Sequence, residues 1–222
     1  MIDLRGHVPF ASGSNRHCYR HPDQPDRCLK VIRPENIEAR FRRQPAWKKA
    51  LGRQRLDDNR QEILAHQQTA IRRLLSSGQA DLAWQHLPRF YGQVPTTLGL
   101  ANESELILEE DGMPAATLES WLIMQGVTPT IQPAIERFCD WLRTTGILTR
   151  NLLPHNLVVT RRGGSPELIL VDGLGAPAVP SRLAAIPQWR NRYTDRRIRR
   201  FRKRIQWEVT GRQTAWEKEQ HL

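Results

Sequence analysis

The chain has 222 residues, 39% of them hydrophobic with seven Trp, which is enough to bury a sizeable core and excludes a disordered composition. Its net charge of +11 asks for a partner or a solvated basic face, and no apolar run approaches the roughly 20 residues that span a bilayer. Met1-Ile2-Asp3-Leu4-Arg5 has no signal-peptide pattern, and Cys18, Cys28 and Cys139 are an odd count without C-x-x-C spacing, so reduced thiols and a cytoplasmic setting are expected.

In chain order, strands are predicted at Val8-Pro9-Phe10, Cys18-Tyr19-Arg20 and Arg27-Cys28-Leu29-Lys30-Val31-Ile32, the last two joined by the turn His21–Asp26. A basic segment from Arg33 to Arg55 follows. A long helix is predicted from Asp58 to Leu75, capped by Asp58 with Gln61 as its capping-box partner and closed by Ser76-Ser77-Gly78. Two more strands are expected at 89–94 and 105–109, and Asp111-Gly112-Met113-Pro114 breaks the pattern. Helices come next at 117–124 and 132–144, the second with Pro133 in its first turn and Gly146 past its end. Short strands at 157–160 and 167–171 form a hairpin. In the tail, Ile198, Phe201 and Ile205 follow i, i+3, i+7 spacing, as an amphipathic helix requires. Arg190 to Arg204 holds nine basic residues against the single acid Asp195, a stripe fit for nucleic acid, an anionic surface or plain solvation.

Two stretches carry chemistry. Thr149-Arg150-Asn151-Leu152-Leu153-Pro154-His155-Asn156 has the shape of a protein-kinase catalytic loop, and Ile169-Leu170-Val171-Asp172-Gly173 that of the metal-binding Asp after the next strand. Asn156 and Asp172 offer hard oxygen ligands of the kind Mg²⁺ takes beside nucleotide phosphates. Asn151 stands where a kinase has its base and cannot accept a proton as a carboxylate does. Leu153 removes a polar neighbour, and Gly173-Leu174-Gly175 lacks the usual Phe. Losing base assistance costs roughly 10² to 10⁴ in rate, which slows phosphoryl transfer without forbidding it.

The chain resembles the YrbL family, the PhoP regulatory network proteins. Gly13-Ser14-Asn15-Arg16-His17-Cys18-Tyr19-Arg20-His21-Pro22, Arg27-Cys28-Leu29-Lys30, Leu87-Pro88-Arg89-Phe90-Tyr91-Gly92 and Leu153-Pro154-His155-Asn156 carry the likeness. The resemblance implies an α+β, minimal bilobal protein-kinase-like fold, with a small antiparallel-sheet lobe over 1–110 and a reduced helical lobe over 111–222. It implies Lys30 on the phosphates of ATP, held by Glu62, although a strand lysine otherwise simply faces solvent. Ser12, Gly13 and Ser14 take the phosphate-loop position with one Gly in place of three, and Glu109 the hinge that meets adenine. About 50 residues follow Asp172, too few for a peptide-binding lobe, so a small or unusual acceptor is expected if the chain is an enzyme. Three functions follow: an ATP/Mg²⁺ phosphotransferase, a nucleotide-binding pseudokinase acting on a regulatory protein partner, or a basic nucleic-acid or anionic-surface binder on a kinase-like scaffold.

Overall fold

The computed structural model describes residues 1–13, 15–50, 52–161, 164–175 and 186–212. They form two compact units, each discontinuous in sequence: Met1–His66 with Arg89–Leu106, and Gln67–Pro88 with Ile107–Leu222. In place of one boundary near residue 110, the chain passes from unit to unit three times.

The first unit is built on a five-stranded antiparallel sheet of order β1-β2-β3-β5-β4. Its strands are β1 (Ala11–Ser12), β2 (Arg16–Arg20), β3 (Arg27–Ile32), β4 (Phe90–Thr96) and β5 (Gly99–Glu105). β3 is central, and its alternation sorts the two faces. Leu29 and Val31 join Leu4, Tyr19 and Ala101 in an apolar cluster, while Cys28 and Lys30 point the other way, toward α3. The β2–β3 turn is closed by His21, whose buried Nδ1 accepts the backbone N–H of Asp23 at 3.1 Å and of Gln24 at 3.2 Å. That imidazole explains the histidine of the Cys-Tyr-x-His-Pro block as turn chemistry.

Two sequence expectations shift here. Val8–Phe10 is not a strand; β1 lies just beyond it. The strand expected at 105–109 ends at Glu105 and starts at Gly99, because the run Asn102-Glu103-Ser104 is polar yet buried, with Asn102 and Glu103 hydrogen-bonded, and hides the usual apolar signal. The basic segment forms α1 (Pro34–Arg42) and α2 (Ala46–Lys49), neither with a buried residue.

The long helix of 58–75 is two helices, α3 (Asp58–His66) and α4 (Thr69–Ser76), belonging to different units. Gln68 is extended, with ψ 147°, and its Oε1 accepts the Leu148 N–H at 2.7 Å. No Pro or Gly marks the break; a side-chain bond to a residue 80 positions on does. The cap is also displaced: Asp57 Oδ1 accepts the Arg60 N–H at 3.0 Å, while Asp58 accepts from Asn15.

The second unit is mainly helical: α4, α5 (Ala80–Trp84), α6 (Leu118–Gln125), α7 (Ile131–Thr145) and α8 (Pro187–Val209), with the hairpin β6 (Leu157–Thr160) and β7 (Glu167–Leu170). α7 buries Ile131, Ile135, Phe138 and Leu142 on one face, each worth about 1.5–3 kcal/mol. It ends at Gly146, in the left-handed region at φ +66°, where a Cβ would also sit 2.7 Å from the Arg190 side chain. Tyr193, Ile198, Phe201 and Ile205 of α8 are buried, as their spacing predicts. Sheet with a helix, then a helical unit with a loop and hairpin, is the order of a reduced protein-kinase-like α+β fold. Among the described residues no helix is long and apolar enough to cross a membrane.

Candidate functional site

Lys30 is 5% exposed, and an ammonium at that depth must be paired. Its Nζ lies 2.5 Å from Oε1 of Glu62, on α3. The other oxygen, Oε2, accepts from Arg16 at 2.7 Å and from the amide of Asn102 at 2.9 Å. Asn59, one turn before Glu62, donates to the Lys30 carbonyl at 2.8 Å, and its own carbonyl accepts from Asn102 at 2.9 Å. Arg16, Asn59 and Asn102 are all buried. Burial pushes the Glu62 carboxyl up, but Lys30 and Arg16 beside it outweigh that and hold it well below the usual carboxylate range. α3 therefore sits on the sheet by a polar cage more than by apolar contact: its buried residues are Asn59 and Ala65.

The expected phosphate-loop residues lie at the edge of the same unit. Ser12 and Gly13 are exposed; the Ser12 hydroxyl shares a 2.8 Å hydrogen bond with His17 Nδ1, and the Gly13 N–H donates to the Arg16 carbonyl at 2.9 Å. Ser14 falls outside the described residues. Asn15 ties the loop to α3, its amide donating to Asp58 at 2.5 Å.

In the second unit the catalytic-loop segment is knitted to the residues after β7. The Arg150 and Asn151 N–H groups both donate to the Gly173 carbonyl, at 2.8 and 3.1 Å. The Val171 and Asp172 N–H groups donate to the Asn156 carbonyl, at 2.9 and 3.3 Å. These bonds place the two expected metal ligands side by side. The Asn156 amide donates to the Asn151 carbonyl at 2.8 Å, which turns its Oδ1 away; among the described residues no donor meets that oxygen. Asp172 Oδ1 accepts the Gly173 N–H at 2.6 Å. Gly173 has φ +81°, and a Cβ there would stand 2.2 Å from the Asn151 carbonyl oxygen. Asn151 itself is exposed, with its backbone groups engaged in the loop. His155, in the same loop, lies 3.8 Å from Glu119.

One amide oxygen and one carboxylate form a hard but incomplete set. No group of three or more metal-binding side chains occurs among the described residues. That set fits Mg²⁺, which keeps waters and takes most of its ligands from nucleotide phosphates. Glu109, at the expected hinge, uses its N–H on the Met113 carbonyl at 2.8 Å and its carbonyl on the Gly112 N–H at 3.0 Å.

A family model described as PhoP regulatory network protein YrbL matches residues 2–209. The chain belongs to that family. It is 25% identical to the uncharacterized protein YrbL of Escherichia coli strain K12 over 181 residues, covering 79% of this chain and 74% of the relative, and equally to that of Shigella flexneri. Two crystal structures of the Mycobacterium tuberculosis PknI kinase domain overlay with TM-scores of 0.46 and 0.49 at 15% and 13% identity. They cover 90% and 96% of this chain and 73% and 76% of theirs. At that level the likeness adds nothing to the topology itself.

Sequence reasoning missed Arg16, Asn59 and Asn102, which complete the cage around Glu62. A buried amide in a polar strand leaves no periodic signal. Asn102 becomes visible only when β5 is paired with β3, in the register Lys30↔Asn102.

Proposed function

We propose that this YrbL-family protein binds ATP with Mg²⁺, Lys30 contacting the phosphates and Asn156 and Asp172 holding the metal. The observation that carries the reading is the buried Lys30–Glu62 pair at 2.5 Å, because a lysine that only decorated a strand would face water. The adjacent Asn156 and Asp172 of the second unit support it with oxygen donors of the right hardness. When bound, Mg²⁺ supplies electrostatic stabilisation of phosphoryl charge. Glu62 keeps the Lys30 ammonium oriented, Gly173 keeps the loop closed on itself, and the cytoplasm, where ATP is held, is the setting.

Asn151 at the base position favours slow or absent transfer, so regulation of a protein partner by nucleotide binding stands as the second reading. Thermal unfolding with ATP, with and without Mg²⁺, on wild type and Asp172→Ala tests the first. Ligand at 100 times Kd adds about 2.7 kcal/mol, a shift of several degrees. A Mg²⁺-dependent shift that the variant loses is expected. No shift at saturating ATP would discard both nucleotide readings. Phosphate release by wild type and not by the variant separates the enzyme from the pseudokinase.

A further inference from the structure

Beyond nucleotide binding, one face of α8 has no role in the second unit. The helix spends its apolar side chains, Tyr193, Ile198, Phe201 and Ile205, in the core. Away from that face run Arg192, Arg196, Arg199 and Lys203, spaced by four, three and four residues, so they stack in a line along the helix. The three arginines are exposed and Lys203 is half-buried. Off the line, Arg202 meets Glu136 at 2.5 Å, Arg204 meets Glu208 at 2.7 Å, and Arg197 donates to the Tyr193 hydroxyl at 2.9 Å. Among the described residues, none of the four on the line has a carboxylate partner. Arg196 stands 5.7 Å over the Tyr193 ring. Beside the line, Arg200 is held below the ordinary guanidinium range by burial first, then by the charges of Arg197 and Arg204.

We propose that this face of α8 binds a nucleic-acid backbone. At 1.5 Å rise per residue the line extends about 16 Å, long enough to meet several successive phosphates. Eight of the nine basic residues from Arg190 to Arg204 are arginine, whose planar fork binds phosphate oxygens in pairs. The array is also rigid. The Tyr193 hydroxyl donates to the Thr149 carbonyl at 2.9 Å and accepts from Arg197 Nε at 2.9 Å, fixing the helix against the start of the catalytic-loop segment. A lipid surface is disfavoured because Tyr193, Ile198, Phe201 and Ile205 are buried, while the half-buried Trp189 stacks on Tyr193 and Trp207 lies under Arg204. An evenly charged phosphodiester chain suits a straight ladder of cations better than the irregular acids of a peptide. With no base-reading side chain implied, binding is sequence-tolerant and falls steeply with salt.

The test is fluorescence anisotropy of a mixed-sequence oligonucleotide of about 20 nucleotides, single-stranded and duplex, between about 50 and 200 mM salt. The proteins are wild type, the combined Arg192→Gln, Arg196→Gln, Arg199→Gln and Lys203→Gln variant, and Arg202→Gln as an off-line control. A matching melt of the combined variant confirms its fold. Four neutralised phosphates give a slope of log K against log salt of about −3 for single strands or about −3.6 for duplex. The combined variant is expected to lose most of that slope and at least about tenfold in affinity, with Arg202→Gln near wild type. Failure of wild type to bind at the lowest salt overturns the proposal, as does an unchanged slope in the folded variant. Tighter capture of phosphatidylserine vesicles or polyglutamate through the same four residues also overturns it, in favour of a membrane or an acidic protein.

Discussion

Replacing Glu62 by Ala removes the carboxylate to which Lys30, Arg16 and Asn102 all donate, at 2.5, 2.7 and 2.9 Å. Lys30 and Arg16 are 5% and 6% exposed, so water does not readily replace it. Removing one member of a buried ion pair costs about 3–5 kcal/mol, a large share of the roughly 5–15 kcal/mol that holds a domain. Arg16→Met removes one of the two cations and leaves Lys30 and Asn102 on Glu62, so its cost is smaller, about 1–3 kcal/mol. The two changes share one carboxylate, so their double-mutant coupling should lie at about 1–3 kcal/mol. Hydrogen exchange resolves the effect by unit: amides of β3 and β5 should lose about two to three and a half decades of protection in Glu62→Ala, since about 1.4 kcal/mol is tenfold. Acid should shrink the difference. Glu62 is held low in the folded state, so its contribution is complete above the unfolded value near 4.3 and is lost as pH falls toward the folded one. A cost below about 1 kcal/mol at neutral pH, or a coupling indistinguishable from zero, would refute the cage as the link that fixes α3 to the sheet.

His66 is brought down to about 4 by burial, so the folded unit prefers the neutral imidazole. The unfolded chain binds the extra proton below about 6.5, and up to about 3 kcal/mol of stability should drain between pH 6.5 and 4. Urea titrations across that range should show the loss in wild type and its reduction in His66→Gln. Gly173→Ala forces a Cβ onto the Asn151 carbonyl at a backbone angle that L-residues avoid, and should cost at least about 2 kcal/mol by thermal unfolding. Tyr193→Phe strands the buried Thr149 carbonyl at a cost of about 1–3 kcal/mol, which a denaturation midpoint will read; an unchanged midpoint would show that the hydroxyl does not hold the loop.

What the sequence disclosed depended on whether an element announces itself locally. α7 did, with Pro133 in its first turn, Gly146 at its end and a clean apolar stripe between. β3 did, through the alternation that set Lys30 opposite Leu29 and Val31. Asn156 and Asp172 were legible as a pair because one hairpin separates them, and the structure does bring their backbones into contact. Features held by distant polar bonds were not legible. The break at Gln68 depends on Leu148, and β5 is masked by the buried polar run Asn102-Glu103-Ser104, in which Asn102 and Glu103 find their partners, Asn59, Glu62 and Arg27, far along the chain. The surplus of basic charge was visible, but which arginines lack acids required the ion pairs of Glu136 and Glu208.

The three passages of the chain between units impose an order on synthesis. When residue 66 has emerged, β2, β3 and α3 are present, and Lys30 can already find Glu62. Asn102 arrives only after the whole excursion of 67–88 and the strand β4. The cage therefore closes late, and until then Glu62 and the two cations on it must tolerate water at one side. A stalled or truncated chain ending before β5 would carry a lysine–glutamate pair in an unfinished sheet, exposed to the proteases that clear such fragments.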